Sequence, residues 1–301
     1  MEVRLTEDLV APFVRRPLMQ PWFAELPRLI PDVLREWHLR PDGEMIAGRS
    51  AVVVPVFTDT GEAAALKFGW PHPDAAHEHL ALRAWAGRGA VRLLRADPHR
   101  QVLLLERREE RDLCSLQVVD ACEVVAGLYA QLHRPPLPQT DRLSTLADRW
   151  SREMLQLRGS NLVPRRFVDQ ASSLARTFAE DPGTDQALVH TDLHYANVLG
   201  GSREPWLAVS PKPLSGDPAY EVAPLLWSRW PEAVATGNIR GAVLERLFTV
   251  VDCAGLDEDR VRNWVTVRAV LKVWGSVQNG WPGDDAAPTT MATTILKAVQ
   301  R

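Results

Sequence analysis

The chain has 301 residues, 46% hydrophobic and 24% charged, which is the balance of a soluble globular protein long enough for two lobes with separate cores or for one large domain. A formal net charge of −3 excludes the basic footprint that nucleic-acid binding would require. Without a run of 18 apolar residues, or an apolar stretch behind the charged first residues, we predict neither a membrane span nor a signal peptide. The three cysteines have no metal-like spacing and are expected to be reduced, which predicts a cytoplasmic location.

The first part of the chain predicts a helical cap followed by a small sheet. Residues 5–40 carry apolar side chains at helical spacing between prolines. From residue 51 the pattern changes to β, with a β-branched run over 51–57, a turn at 59–61 and a return strand over 63–68.

The return strand presents one lysine, Lys67, and the helix that follows it carries Glu78 in its first turn. Two more strands are predicted at 91–95 and 102–106. Four or five antiparallel strands with one inserted helix form a small α+β lobe, to which we assign residues 1–107.

Residues 108–301 are predicted to form a mainly helical second lobe that also contains two short hairpin strands, at 198–199 and 206–209. The predicted helices cover residues 118–133, about 142–158, 165–180, 219–229, 240–254, 258–277 and 286–300.

Residues 188–199 are the most informative stretch of this second lobe. They read Leu-Val-His-Thr-Asp-Leu-His-Tyr-Ala-Asn-Val-Leu, a polar loop between two short apolar strands. The order His-x-Asp-Leu-x-x-x-Asn is the catalytic loop of phosphoryl-transfer enzymes, in which the aspartate accepts a hydroxyl proton and the asparagine holds a metal ion. We therefore predict Asp192 as the base, Asn197 as a magnesium ligand and His190 as a structural brace of the loop.

The nucleotide-binding residues are predicted in the first lobe. Lys67 on its strand and Glu78 on the next helix fit a pair in which the lysine holds phosphates and the carboxylate fixes the lysine, although a surface ion pair is the alternative. Ser50 lies in the turn before the first long strand and is a candidate phosphate contact. Backbone groups near Glu106 and Arg107, where the last strand ends, are candidates for contact with an adenine edge.

Several phrases of the sequence resemble the aminoglycoside/hydroxyurea phosphotransferase family, streptomycin 6-kinases in particular. The resemblance runs from about residue 22 to the C-terminus, in the stretches 65–67, 82–85, 89–94, 103–107, 190–199, 204–208 and 216–218. It implies a bilobal protein-kinase-like fold, ATP and Mg²⁺ as cofactors, and transfer of the γ-phosphoryl group to a hydroxyl of a small-molecule antibiotic. By matching position, Lys67, Asp192 and Asn197 inherit the roles predicted above.

The chain departs from that family at one position of the metal site. Where the family reads Leu-Ala-Ile/Val-Asp-Pro, residues 207–211 read Leu-Ala-Val-Ser-Pro, so Ser210 stands in place of the second metal-binding aspartate. A serine hydroxyl is a neutral and weaker magnesium ligand, and catalysis is expected to suffer. Three explanations are open: an engineered inactivation, a natural pseudokinase, or a replacement ligand such as Asp217.

Two other classes of function compete with this reading. Residues His190, Asp192 and His194, joined by His72, His77 and His79, could be ligands of a metallohydrolase. The chain could also be a binding module that holds nucleotide or antibiotic without phosphoryl transfer. Hydroxyurea or a peptide antibiotic are alternative acceptors, and we expect a monomer or weak dimer.

Overall fold

The structure is a computed structural model that describes residues 16–201, 203–278 and 286–300. Contacts divide the chain into two compact units. The first holds the residues up to Glu110 together with Gly201–Pro205, and the second holds Arg111–Gly200 together with the residues from Trp206 onward. The lobe boundary drawn from the sequence between residues 107 and 108 stays a prediction.

One sequence prediction lies partly beyond this description. The helical cap was expected from residue 5, and its first segment, before residue 16, lies outside the described residues. Within residues 16–201, 203–278 and 286–300, no helix is long and apolar enough to cross a membrane.

In the part that the structure describes, residues 16–110, 201 and 203–205, the first unit contains two α-helices and an antiparallel sheet. Its elements are α1 (Gln20–Glu36), β1 (Arg40–Pro41), β2 (Ile46–Ala47), β3 (Ala51–Phe57), β4 (Ala63–Gly69), α2 (Glu78–Trp85), β5 (Leu93–Asp97) and β6 (Val102–Glu106). The strand order is β1-β3-β4-β6-β5, with β2 also paired to β3, so the sheet has six strands where four or five were expected. The two additional strands have only two residues each, too few to show a β pattern in the sequence.

The core of this unit lies between α1 and the long strands. Apolar side chains at helical spacing cover one stripe of α1, and every second residue of β3 and β4 points at that stripe. The buried residues of these three elements include Leu26, Ile30, Val33, Val52, Val54, Val56, Ala64, Leu66 and Phe68. Because neighbouring residues on a strand face opposite ways, Lys67 lies on the other face of the sheet from α1.

The second unit is mainly helical. Its helices are α3 (Val118–Leu132), α4 (Leu143–Glu153), α5 (Arg165–Glu180), α6 (Ala223–Trp227), α7 (Trp230–Ala235), α8 (Ile239–Ala254), α9 (Glu258–Gln278) and α10 (Ala286–Val299). Its strands are β7 (Ala187–Val189), β8 (Val198–Gly200), β9 (Trp206–Ala208) and β10 (Leu214–Gly216). These strands form two separate antiparallel pairs, β7 with β10 and β8 with β9.

The two strand pairs hold the ends of the loop at residues 190–197. The hairpin of β8 and β9 was predicted from the sequence and is present, with Val198 opposite Ala208. Strand β10 was not predicted, and it supplies the partner of β7, with Leu188 opposite Ser215. The loop between β7 and β8 is therefore anchored at both ends by strands that come later in the chain.

Three predicted elements differ from the observed ones. The strand expected at 91–95 begins at Leu93, where a β-bulge shifts its register against β6. The helix expected at 142–158 tightens into a 3-10 turn after Glu153. The helix expected at 219–229 is a 3-10 turn followed by α6, and it is separated from α7 by Arg229, whose φ of 53° is left-handed and ends the helical path.

Candidate active site

Lys67 and Glu78 form a buried ion pair within the first unit. The Lys67 Nζ atom lies 2.6 Å from Oε1 and 2.8 Å from Oε2 of Glu78. The two residues are only 8% and 6% exposed, so the alternative of a surface ion pair is wrong. Glu78 is the first residue of α2 and is buried, as its pairing with Lys67 requires.

The carboxylate of Glu106 braces the first unit. It accepts hydrogen bonds from the backbone N–H of Arg92 at 2.8 Å and from Arg203 at 2.8 Å, and it lies 3.3 Å from the guanidinium of Arg108. Burial opposes ionisation, but the hydrogen bonds and the neighbouring arginines outweigh it and lower the pKa of Glu106. Its backbone N–H donates to the carbonyl of Arg92, so this group is also engaged within the unit.

The side chain of Arg107 is also hydrogen-bonded to the sheet. Its guanidinium donates to the carbonyl oxygens of Ala64 and Val56 and contacts the carboxylate of Asp42. Ser50, in contrast, is exposed in the turn before β3, and its carbonyl accepts a hydrogen bond from the backbone of Trp70. The nucleotide contacts expected at Ser50, Glu106 and Arg107 remain predictions.

His190 has the structural role predicted from the sequence. It is fully buried, its Nδ1 accepts from the backbone N–H of Asp192, and its Nε2 lies 3.0 Å from the carbonyl of Val209. Since a carbonyl can only accept, the ring is the neutral tautomer that carries its proton on Nε2. Burial lowers the pKa of His190, in agreement with a neutral ring. Both nitrogens are used by the backbone, which excludes His190 as a metal ligand.

Thr191 holds a strained backbone conformation beside the predicted base. Its φ of 62° is left-handed, which a β-branched residue adopts only when its surroundings impose it. Its N–H donates to Oε1 of Glu221 at 2.7 Å, and its hydroxyl donates to the carbonyl of Lys212 at 2.6 Å. These two bonds hold the loop in the conformation that presents Asp192.

Glu221 is a fully buried carboxylate that ties this loop to the end of α3. One oxygen accepts from Thr191, and the other lies 2.6 Å from Nε2 of His133. Burial raises the pKa of the Glu221 carboxyl, but the hydrogen bonds from His133 and Thr191 and the charge interaction with the His133 ring outweigh burial and lower the pKa. Glu221 is therefore ionised in the folded protein and shares its charge between the loop and the imidazole.

Asp192 and Asn197 lie in the same loop and are joined by a hydrogen bond. The Nδ2 group of Asn197 donates to the backbone carbonyl of Asp192 at 2.8 Å. The carbonyl of Asn197 accepts from the backbone N–H of Val209, so the asparagine is also tied to the segment that carries Ser210. This arrangement leaves Oδ1 as the oxygen with which Asn197 would bind a cation.

Lys212 contacts the predicted base directly. Its Nζ lies 2.9 Å from Oδ2 of Asp192. Burial opposes ionisation of Asp192, but the charges of Lys212 and His194 outweigh it and lower the pKa of the aspartate. Asp192 is therefore an ionised carboxylate able to orient a hydroxyl group and accept its proton.

Ser210 follows β9 with a left-handed backbone, at a φ of 56°. This conformation is tolerated better by aspartate or asparagine than by serine. Magnesium is usually bound through one or two carboxylates together with substrate phosphates. Asn197 offers an amide oxygen and Ser210 a hydroxyl oxygen. The side chain of Asn197 is therefore suited to bind magnesium, but position 210 does not supply the carboxylate that usually accompanies it.

Asp217 does not replace that missing carboxylate. It is buried, its Oδ1 caps the turn at Ala219, and its Oδ2 accepts from Nε1 of Trp264 at 2.6 Å and from the guanidinium of Arg260. Both oxygens are thus occupied by a structural network. The explanation of Ser210 by a replacement ligand at Asp217 is not supported.

The metallohydrolase alternative also finds no geometric support. Among residues 16–201, 203–278 and 286–300, no group of three or more His, Cys, Asp or Glu side chains could hold a metal ion. All three cysteines are free, with Cys122 buried and the other two exposed.

Lys212 and Glu221 were not singled out from the sequence. Lys212 stands between Pro211 and Pro213, two residues after Ser210. Its closeness in the chain to the predicted metal position could have marked it as a candidate site residue. Glu221 had no such signal, because its partners His133 and Thr191 lie far from it in the chain. Only the folded structure brings these groups together.

A buried pair between a lysine on a small antiparallel sheet and a glutamate on the following helix, and a loop with an aspartate and an asparagine, also recur in protein-kinase-like phosphotransferases. Solved structures confirm that fold. An aminoglycoside phosphotransferase, APH(4)-Ia, in a ternary complex with ADP and hygromycin B is similar with a TM-score of 0.57 and 16% identity, over 89% of this chain and 97% of that one. The choline kinase LicA of Streptococcus pneumoniae gives a TM-score of 0.59 at 14% identity, over 90% and 98%.

The chain belongs to the aminoglycoside/hydroxyurea antibiotic resistance kinase family, whose model matches residues 36–278. A streptomycin 6-kinase of Streptomyces glaucescens is 34% identical over 97% of both chains, and one of Streptomyces griseus is 36% identical over 92% of this chain and 91% of the relative. A hydroxyurea phosphotransferase of Kitasatospora aureofaciens is 40% identical over 85% of this chain and 74% of the relative. The protein is thus a phosphotransferase of the kinase class, as the sequence predicted.

Proposed function

We propose that this protein transfers the γ-phosphoryl group of ATP to a hydroxyl group of streptomycin or a similar aminoglycoside, and so confers resistance to it. The observation that carries the proposal is the 34% identity to a streptomycin 6-kinase over 97% of both chains. The ionised Asp192 on its braced loop supports the same conclusion.

Each residue then has a defined part in the reaction. The acceptor oxygen forms a bond to the γ-phosphorus, the bond from that phosphorus to the β–γ bridging oxygen breaks, and ADP leaves with the electron pair. Asp192 orients the hydroxyl and accepts its proton. Lys67, held by Glu78, binds the nucleotide phosphates.

The remaining nucleotide contacts are assigned to Ser50 and to the backbone near Glu106 and Arg107. Magnesium, bound to the ATP phosphates and to Asn197, would neutralise phosphate charge during transfer. Because Ser210 adds only a hydroxyl oxygen, we expect weaker metal binding and slower transfer than an aspartate at this position would give.

Mass spectrometry of candidate acceptors tests the proposal. Streptomycin, other aminoglycosides, hydroxyurea and a peptide antibiotic would each be incubated with the purified protein, ATP and magnesium. We expect a single-phosphate adduct on streptomycin that is lost in an Asp192→Asn variant. An adduct that survives in this variant would contradict the role given to Asp192, and no adduct on any aminoglycoside would contradict the substrate class.

The position of Ser210 gives a second test. A Ser210→Asp variant restores the carboxylate, and we expect it to react about 100-fold faster, the scale of one charge-stabilising group in a transition state. Ser210→Asn is the matched control, because asparagine tolerates the same left-handed backbone without adding charge. Equal rates for Ser210→Asp and wild type would refute this account of the metal site.

Hydroxyurea is the second candidate acceptor. It is favoured by the 40% identity to a hydroxyurea phosphotransferase, which covers 85% of this chain. The same panel separates the two, because competition between streptomycin and hydroxyurea at equal concentration gives the ratio of their kcat/KM values. Nucleotide binding without any adduct would instead identify the protein as a binding module or pseudokinase.

Location and assembly complete the proposal. We propose a cytoplasmic protein that is a monomer or weak dimer. Fractionation of the producing cells and light scattering of the purified protein at several concentrations measure these two properties directly.

A further inference from the structure

Lys212 lies beside the predicted base in a way that suggests more than a surface ion pair. Its ammonium is 2.9 Å from Oδ2 of Asp192, with 42% of the lysine side chain and 29% of the aspartate side chain exposed. Ion pairs this open to solvent contribute roughly 0–1 kcal/mol to stability. Folding alone therefore gives little reason for a lysine at this position.

The backbone of Lys212 is fixed on both sides. Its N–H donates to the carbonyl of His190 at 3.0 Å, and its carbonyl accepts from the hydroxyl of Thr191 at 2.6 Å. Its two neighbours in the chain are Pro211 and Pro213, whose rings fix their own φ angles. The lysine is thus built into the loop that carries Asp192, while its side chain keeps access to solvent.

The charges around Asp192 show what such a lysine can do. Asn197 and Ser210 carry no charge, and the charge of Lys212 offsets that of Asp192. A transferred phosphoryl group brings negative charge that must be neutralised in the transition state. A lysine ammonium is a compact point charge well suited to phosphate oxygens, and it needs no carboxylate at position 210.

We propose that Lys212 is a phosphate-binding residue, whose ammonium moves from Asp192 to the terminal phosphoryl group of the bound nucleotide. This proposal rests on the proposed function, because it assumes that ATP is the phosphoryl donor. Asp192 then receives the acceptor hydroxyl in place of the lysine, and the lysine stays protonated throughout the transfer. The positive charge at residue 212 compensates in part for the carboxylate lost at Ser210.

Nucleotide binding measured by calorimetry tests this without any knowledge of the acceptor. The probes are AMP-PNP, which carries a γ-phosphoryl group, and ADP, which has none, each with magnesium. We expect Lys212→Met to weaken AMP-PNP binding by about 10- to 100-fold and to change ADP binding by less than about twofold. Lys212→Arg should keep most of the preference for AMP-PNP, since the charge is retained.

The matched control is Lys297→Met, which makes the same substitution at an exposed lysine in α10 and should change neither affinity. Equal weakening of AMP-PNP and ADP by Lys212→Met, or no change in either, would overturn the proposal. Should Lys212→Met not fold, Lys212→Gln is measured in the same way, and its folded fraction is checked by circular dichroism.

A second measurement uses the exchange between the two partners of the lysine. Removing the competing carboxylate with Asp192→Asn is expected to strengthen AMP-PNP binding by several-fold when Lys212 is present, and by less in the Lys212→Met background. Identical effects in both backgrounds would contradict the exchange.

The proposed acceptor and the proposed role of Lys212 can fail separately. If Lys212→Met weakens AMP-PNP binding more than ADP binding but streptomycin receives no phosphate, only the proposed acceptor fails. If streptomycin is phosphorylated and Lys212→Met changes AMP-PNP and ADP binding equally or not at all, only the proposed role of Lys212 fails.

Discussion

Replacing Glu221 should both destabilise the second unit and slow phosphoryl transfer. The fully buried carboxylate is the acceptor for the N–H of Thr191 and the partner of His133. In Glu221→Ala the Thr191 N–H is left buried without that acceptor, at a cost of about 1–3 kcal/mol. Breaking a buried pair by removing one partner costs about 3–5 kcal/mol in total, and we expect the free energy of unfolding to fall by that amount.

The effect on the reaction follows from the strained backbone of Thr191. A left-handed conformation in such a residue costs about 1–3 kcal/mol, so the loop should relax once Glu221 no longer holds it. A displacement of about 1 Å in a catalytic group can lower the rate by about 100-fold, and we expect a loss of kcat on this scale. Glu221→Gln keeps an oxygen for Thr191 and should lose less of both stability and kcat.

Urea denaturation and steady-state phosphorylation of streptomycin provide the two measurements. Glu232→Ala is the matched control, because Glu232 pairs with Arg229 at 2.6 Å but is 51% exposed. Its loss should cost less than about 1 kcal/mol. The reasoning is refuted if Glu221→Ala is no more destabilising than Glu232→Ala, or if its kcat equals that of the wild type.

Three further predictions concern the pH dependence of stability, the Lys67–Glu78 pair and the hydrogen bonds of Asp217. Folding lowers the pKa of Glu221, so the ionised carboxylate stabilises the protein at pH values above the ordinary glutamate pKa, and this stabilisation is lost as the pH falls. The difference in unfolding free energy between wild type and Glu221→Gln should therefore shrink below about pH 4, as measured by urea titrations at a series of pH values. Lys67→Met should destabilise by about 3–5 kcal/mol because it leaves Glu78 buried and unpaired, and a Lys67→Met/Glu78→Leu variant should recover most of the stability but none of the AMP-PNP binding. Asp217→Asn should cost about 2–4 kcal/mol while leaving the magnesium dependence of AMP-PNP binding unchanged, whereas a metal ligand at this position would shift that dependence.

Local patterns in the sequence predicted the elements on which the candidate site residues lie. A β-branched run, a turn and an apolar return segment placed Lys67 on a strand, and the order of residues 190–197 predicted the catalytic loop between two strands. These features depend on neighbours within a few residues, where side-chain period and motif spacing act directly. The family resemblance then extended the prediction to the whole fold, which the similar structures confirm.

Contacts between distant segments were beyond the reach of such patterns. The local pattern placed Glu78 in the first turn of α2, but only the packing of that helix decided that its side chain is buried against Lys67. Strand β10 is too short to be seen by its period, yet it holds β7 and thus one end of the loop. The pairing of a strand with a distant partner is decided by packing of the whole unit, which has no local signature.

The sequence by itself determined a His-x-Asp-Leu-x-x-x-Asn loop between two strands, a lysine on an apolar strand and a serine where the related family has an aspartate, and it predicted their roles from these patterns. Only the tertiary structure decided which groups surround that loop. It placed Lys212 on Asp192 and Glu221 between Thr191 and His133, and it engaged Asp217 elsewhere. The physical reason is that charge pairing acts over a few ångströms in space, whatever the separation along the chain.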